Sequence, residues 1–223
     1  MLLSVSRLRN SSLKSAAQVT RGLKKALFIT LAVLFADQAL KIWIKTNMYL
    51  GQEFSVLGNW FIIHFTENNG MAFGMEFGGE TGKIALSIFR IIAVSLIGFY
   101  LFRTASKGAK TGLIVAGSLI FAGAMGNILD SMFYGILFND SYHQIAQFMP
   151  DEGGYAPFLY GRVVDMLYFP IYEGFLPAWL PIWGGDYFVF FRPVFNIADS
   201  AISCGVASVL LFHRGFFSDS AKD

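Results

Sequence analysis

The sequence predicts an all-α membrane protein: four transmembrane helices, a small extracytoplasmic β-sheet and a long outer loop. Three observations predict it: an apolar composition, four apolar segments of spanning length, and basic residues gathered in the short connections. The chain has 223 residues, of which 55% are hydrophobic and 14% charged; soluble domains carry about 25% charged residues. Mean hydropathy is +0.53. An aromatic share of 17% suits a protein with two interfacial belts.

In chain order, residues 1–25 form a tail holding Arg7, Arg9, Lys14, Arg21, Lys24 and Lys25 and no acid. A nucleic-acid arm is the bland alternative, but the apolar segment that follows makes the tail a cytoplasmic membrane flank. The first span covers about 26–44. It is not read as a cleaved signal peptide, because its apolar stretch passes Asp37 to reach Trp43 and no A-x-A site follows. Next comes an outer connection, about 45–83, with Glu53, Glu67, Glu76 and Glu80; its 54–65 stretch alternates loosely and is rich in β-formers. A second span at 84–102 leads through a basic turn, Arg103, Lys107 and Lys110, to a third at 111–133. The second outer connection, 134–193, is long, aromatic and acid-bearing. A fourth span at 194–212 precedes a tail at 213–223. One transmembrane domain thus covers 26–212, each span having the roughly 20 apolar residues a bilayer requires. The positive-inside rule puts both termini in the cytoplasm.

An ionisable residue in a span is a functional candidate by default. Asp37 and Lys41 share a face in the outer half of the first span. Asn127 and Asp130 stand near the outer end of the third, and Asn196 and Asp199 near the outer start of the fourth. Three helices therefore bring polar groups to one depth. Each pair also has a bland reading: Asp37 with Lys41 as a structural ion pair, Asn127 as a helix-packing hydrogen bonder, Asp130 as a helix-end residue. Arg90 is expected to snorkel outward. His64, His143 and His213 are dispersed without metal-ligand spacing. Ser200 has no histidine at its depth, so a serine triad is not expected. Cys204, the single cysteine, excludes an internal disulfide framework.

Asp165 lies in Gly161-Arg162-Val163-Val164-Asp165-Met166, an apolar run with one acid and one base. It is either the acid of an exposed short strand or the partner of Asp199. Two carboxylates in a poorly solvated site share one proton, so one can act as base toward water while the other polarises a carbonyl.

Five motifs in this order resemble lipoprotein signal peptidase, the signal peptidase II family. They are Asp37-Gln38-Ala39-Leu40-Lys41, Asn68-Asn69-Gly70-Met71-Ala72-Phe73, Gly123-Ala124-Met125-Gly126-Asn127-Ile128-Leu129-Asp130, Gly161-Arg162-Val163-Val164-Asp165, and Phe195-Asn196-Ile197-Ala198-Asp199-Ser200. The resemblance covers about 26–212. It implies an aspartic endopeptidase that cuts prolipoproteins just before a diacylglyceryl-modified cysteine, at the outer face of a bacterial cytoplasmic membrane. By resemblance Asp165 and Asp199 are the catalytic pair. Asn68, Gly70, Ala72, Asn127, Asp130, Arg162 and Asn196 support or position substrate, and Asp37 and Lys41 are structural. The expected partners are lipid-modified prolipoproteins and membrane lipids; no cofactor, metal, nucleic acid or second subunit is expected.

Two departures stand out. Where the family often has Arg after the third-span Asp, this chain has Ser131, and Arg162 is a candidate substitute. The outer segment 134–160 is longer than the family minimum; Gly135, Gly153 and Gly154 would let it hinge as a cover, and its aromatics would equally let it rest on headgroups. Two other functions compete. A presenilin-type protease needs G-x-G-D within a span, and Gly184-Gly185-Asp186 is neither that motif nor in a span. A small transporter or channel needs polar groups through the whole depth, and the inner halves of the second and fourth spans are apolar.

Overall fold

The computed structural model of the chain describes residues 2–69 and 79–213, with side chains from residue 16 onward except that of residue 80. Helix α1 runs Leu2–Asn47, so the basic flank continues into the first span without a break. Helix α2 is Gly79–Ser106 and α3 is Thr111–Leu129. A π-helical turn, Asp130–Tyr134, and a short α4, Gly135–Leu137, extend α3. Helix α5 is Ile197–Phe212. Among the described residues, three stretches are long and apolar enough to cross a membrane: Ala16–Asn47, Thr81–Ser106 and Thr111–Leu137. Their large apolar side chains, among them Phe28, Phe35, Phe89, Ile92 and Phe99, are exposed, as a lipid-facing surface requires. Helix α5 is apolar but has only 16 residues. The fourth span was expected from residue 194; the helix starts later because Val194–Phe195 form a strand, β6.

Apart from β6, the strands lie where the outer connections were read. The 54–65 stretch is a hairpin, β1 (Glu53–Leu57) and β2 (Phe61–Asn68), turning at Gly58, whose φ of +54° favours glycine. Strand β3 is Val163–Tyr168, and the antiparallel sheet has the order β1-β2-β3-β6. Strands β4 (Tyr172–Phe175) and β5 (Tyr187–Phe190) make a separate hairpin. Gly184-Gly185-Asp186 lies in its connecting loop.

The chain forms two compact units. One takes in α1 to Asp37, Ile88–Asn127 and α5 from Ala198; the other holds Gln38–Ser87 and Ile128–Ile197. In the first, helices meet at glycines. A Cβ on Gly123 would strike the Ala198 carbonyl oxygen, and one on Gly205 would lie 2.7 Å from the Ala116 oxygen. Gln18 Nε2 donates to the Gly108 carbonyl at 2.9 Å, tying the basic flank to the basic turn between α2 and α3. In the second unit the sheet packs on the end of α1 through Ile44, Met48, Ile63, Phe65, Tyr134, Phe138, Val164 and Met166. Strand alternation points Val164 and Met166 into that core and turns Asp165 to the opposite face.

Candidate active site

Asp165 is buried, 4% exposed, which excludes the reading of an exposed strand with its acid in water. A buried carboxylate persists only when its oxygens accept hydrogen bonds. Asn68 Nδ2, at the end of β2, donates to Asp165 Oδ2. Asn196 Nδ2 donates to Asp165 Oδ1 at 2.7 Å and to the Val164 carbonyl at 3.2 Å. The sheet register explains the convergence: Thr66 pairs with Asp165 and Asn68 with Val163, so the end of β2 reaches the aspartate diagonally.

Beneath this strand lies a buried ion pair. Lys41 Nζ is 2.7 Å from Asp130 Oδ2, both side chains being fully buried. Gln38 Nε2 donates to Asp130 Oδ1 at 2.9 Å, and the Val164 amide donates to Asp130 Oδ2 at 3.3 Å. Asp130 opens the π turn, a distortion frequent at functional sites. Lys41 thus has a partner on the extension of α3, and through Asp130 it fixes the residue next to Asp165.

The unit containing Asp199 has its own arrangement. Asp199 stands in the first turn of α5, where the helix dipole favours a negative charge. Asn127 Nδ2 donates to Asp199 Oδ1 at 2.7 Å. Asp37 Oδ1 accepts from the Ala198 amide at 2.9 Å, capping α5 from another helix. Gly126 makes room for that cap: a Cβ there would lie 2.8 Å from Asp37 Oδ2. Both glycines of Gly123-Ala124-Met125-Gly126-Asn127 therefore have a steric reason. Arg90 is half-buried, and the Asp199 carboxylate acts on it electrostatically.

Gly70 and Ala72 fall outside the described residues. Arg162 is directed to Glu67 and Asp140, with Nη1 at 3.2 Å and 3.3 Å from their carboxylates. The sequence reading missed Glu67, Lys45 and Gln38. Lys45 continues the four-residue ladder Asp37, Lys41 along one face of α1, a signal that was present. Among the described residues no cluster of His, Cys, Asp or Glu could hold a metal ion.

Residues 29–215 match the family model described as Signal peptidase (SPase) II. Lipoprotein signal peptidase of Porphyromonas gingivalis strain W83 is 50% identical over 196 residues, covering 87% of this chain and 84% of that protein. Lipoprotein signal peptidase of Amoebophilus asiaticus strain 5a2 is 42% identical over 200 residues, covering 88% and 80%. A bacterial membrane enzyme solved by the in meso method at 2.3 Å resolution superposes with a TM-score of 0.56 at 25% identity, covering 89% of this chain and 90% of the other. A second, at 1.9 Å resolution, gives 0.55 at 28% identity, covering 84% and 93%.

Proposed function

The chain belongs to the signal peptidase II family, and we propose on that premise that Asp165 and Asp199 are the catalytic pair of its aspartic endopeptidase activity. The enzyme removes signal peptides from prolipoproteins. Its substrates carry a diacylglyceryl-modified cysteine, and cleavage takes place at the outer face of the cytoplasmic membrane. The observation that carries the assignment is that each aspartate stands in its family motif with an asparagine amide aimed at its carboxylate: Asn68 and Asn196 on Asp165, Asn127 on Asp199.

The pair works with one proton between its two carboxyl groups. The ionised group takes a proton from water as the water oxygen attacks the scissile carbonyl carbon. The protonated group gives its proton to the carbonyl oxygen, producing a tetrahedral diol. Collapse of the diol delivers a proton to the leaving nitrogen of the lipidated cysteine, breaks the C–N bond and returns the pair to its singly protonated state. The two roles belong to the pair and not to either residue alone. The asparagine amides hold the carboxylates in place and cost no reorganisation during the reaction.

In this reading α5 is the fourth span, both termini are cytoplasmic, and the enzyme is a monomer of the inner membrane. The contacts of Gln18 with the basic α2–α3 turn and of Lys25 with Thr111 at the start of α3 support a common side for the two basic segments. The β4–β5 hairpin rests among lipid headgroups: Trp179, Ile182 and Trp183 in its loop are exposed and apolar. Family membership does not favour the transporter reading. The test is direct. Purified protein in micelles is given a diacylglyceryl-modified precursor and its unmodified counterpart, and the products are weighed by mass spectrometry. Cleavage immediately before the lipidated cysteine, with the unmodified precursor left intact, is the expected result. Equal cutting of both precursors would contradict the substrate assignment.

A further inference from the structure

We infer that Arg162, Glu67 and Asp140 are positioning residues, an ionic clasp that ties the outer insertion to β2 and β3 and holds Asp165 in register. The inference rests on Asp165 being catalytic.

Glu67 immediately precedes Asn68, and Arg162 lies three residues before Asp165. In the sheet Glu67 pairs with Val164. The Glu67 side chain is 1% exposed and that of Lys45 is fully buried, an arrangement tolerated only when the charges are matched and hydrogen-bonded. Glu67 Oε1 accepts from Lys45 Nζ and from Ser141 Oγ, the latter at 3.2 Å. Its other oxygen takes Arg162 Nη1. The same Nη1 reaches Asp140, so two cations and two carboxylates balance.

The insertion contributes more than Asp140 and Ser141. The Arg162 amide donates to the Tyr155 hydroxyl at 2.6 Å. The Tyr155 ring lies 4.9 Å from Arg162 Cζ and 5.2 Å from Lys45 Nζ, between two cations. Backbone bonds pin the segment on both sides: Ala146 N to Lys45 O at 3.1 Å, Leu50 N to Ser141 O at 2.9 Å, Tyr155 N to Phe138 O at 2.9 Å, and Gly161 N to Ser131 O at 2.9 Å. Gly135 and Gly154 are used for close approach: a Cβ on either would collide with the facing backbone. Leu159 is held at φ +73°, a strained value for a bulky residue that packing must maintain. These are features of a fixed brace, in contrast to the hinged cover that the glycines had raised.

Slippage of β3 along β2 by one residue would reverse the faces of its side chains and take Asp165 away from Asn68. The Glu67–Arg162 pair spans that register and opposes the slip. Arg162 also sits with Asp140 at the surface end of the network, where it can be changed while Lys45 keeps its counter-charge. Glu67→Gln would strand a buried lysine and is the poorer probe.

The experiment measures kcat and KM separately on a lipidated precursor for Arg162→Met, Arg162→Lys and Asp140→Asn, with Asp165→Asn as the reference. A displaced catalytic group costs up to about 10²-fold in rate. Arg162→Met should therefore lower kcat by about 10- to 100-fold with KM unchanged, and Arg162→Lys should restore much of the loss. Asp140→Asn should lower kcat several-fold. If Arg162→Met does not fold, Asp140→Asn decides, because that side chain is partly exposed and its loss leaves the buried pair intact. Wild-type kcat in these variants, beside an inactive Asp165→Asn, would overturn the clasp alone. An active Asp165→Asn would instead overturn the catalytic assignment.

Discussion

Asp165, Asp130 and Glu67 are buried acids, and each is held by donors whose removal should have its own signature. Asn68→Ala takes the β2 donor from Asp165. Loss of one positioned donor at a reacting centre costs about 10²-fold in kcat, so Asn68→Ala should cleave lipidated precursor slowly while keeping its thermal midpoint. A wild-type rate would show that Asn196 alone suffices. Lys41→Met should act in the opposite way. It leaves Asp130 buried without its 2.7 Å partner, which destabilises by about 3–5 kcal/mol. Replacing both residues, Lys41→Met with Asp130→Asn, should recover much of that loss, because neither charge then remains buried and the amide oxygen can still accept from a neighbouring donor. Thermal unfolding in detergent distinguishes the two cases; equal midpoints for single and double variants would contradict an ion pair. Tyr155 belongs to the same chemistry. Burial pushes its phenol above the ordinary tyrosine range, so it stays a neutral hydroxyl between Lys45 and Arg162 at any physiological pH.

At the level of elements, the contact of α3 with α5 depends on glycine. A methyl group on Gly123 collides with the backbone of Ala198, which cannot swing aside as a side chain could. Gly123→Ala should therefore separate the helices, loosen Asn127 from Asp199 and lower both activity and thermal midpoint. Normal values of both would mean that the helices tolerate the wider spacing. The outer insertion behaves as a brace. Exchanging residues 139–152 for a Gly-Ser linker should reduce kcat and stability together, since it removes Asp140, Ser141 and the Ala146 contact with α1. A mobile cover would lose turnover with stability unchanged. The β4–β5 hairpin gives a separate test. Trp179 and Trp183 in its loop should be quenched by brominated lipid in reconstituted vesicles, measured in a variant lacking Trp43 and Trp60. Absence of quenching would place the hairpin in water.

For the whole molecule, hydropathy and charge identified the membrane character, because a spanning helix must be apolar over most of its length whatever surrounds it. The three long spans were legible for that reason. The start of α5 was not: Val194 and Phe195 are as apolar as the helix that follows, and only pairing with Tyr168 and Leu167 makes them a strand. Asn68, Asn127 and Asn196 were legible because short motifs carry them. The clasp of Glu67 with Arg162 was hidden, because it joins residues 95 positions apart through a strand register that no local pattern encodes. The hinged reading of Gly135, Gly153 and Gly154 followed from glycine's freedom; Gly135 and Gly154 serve close packing, and Gly153 takes a turn at φ +87° with open space around it. The proposed topology predicts that reporters fused to either terminus are protected from reagents added outside intact cells. The most direct test of the catalytic pair is the cleavage rate of Asp165→Asn, Asp199→Asn and the double variant on a diacylglyceryl-modified precursor, read by mass spectrometry on folded, purified enzyme. Two groups acting as one unit predict that each single variant loses as much activity as the double. Substantial cleavage by either single variant, or losses that multiply in the double, would contradict it.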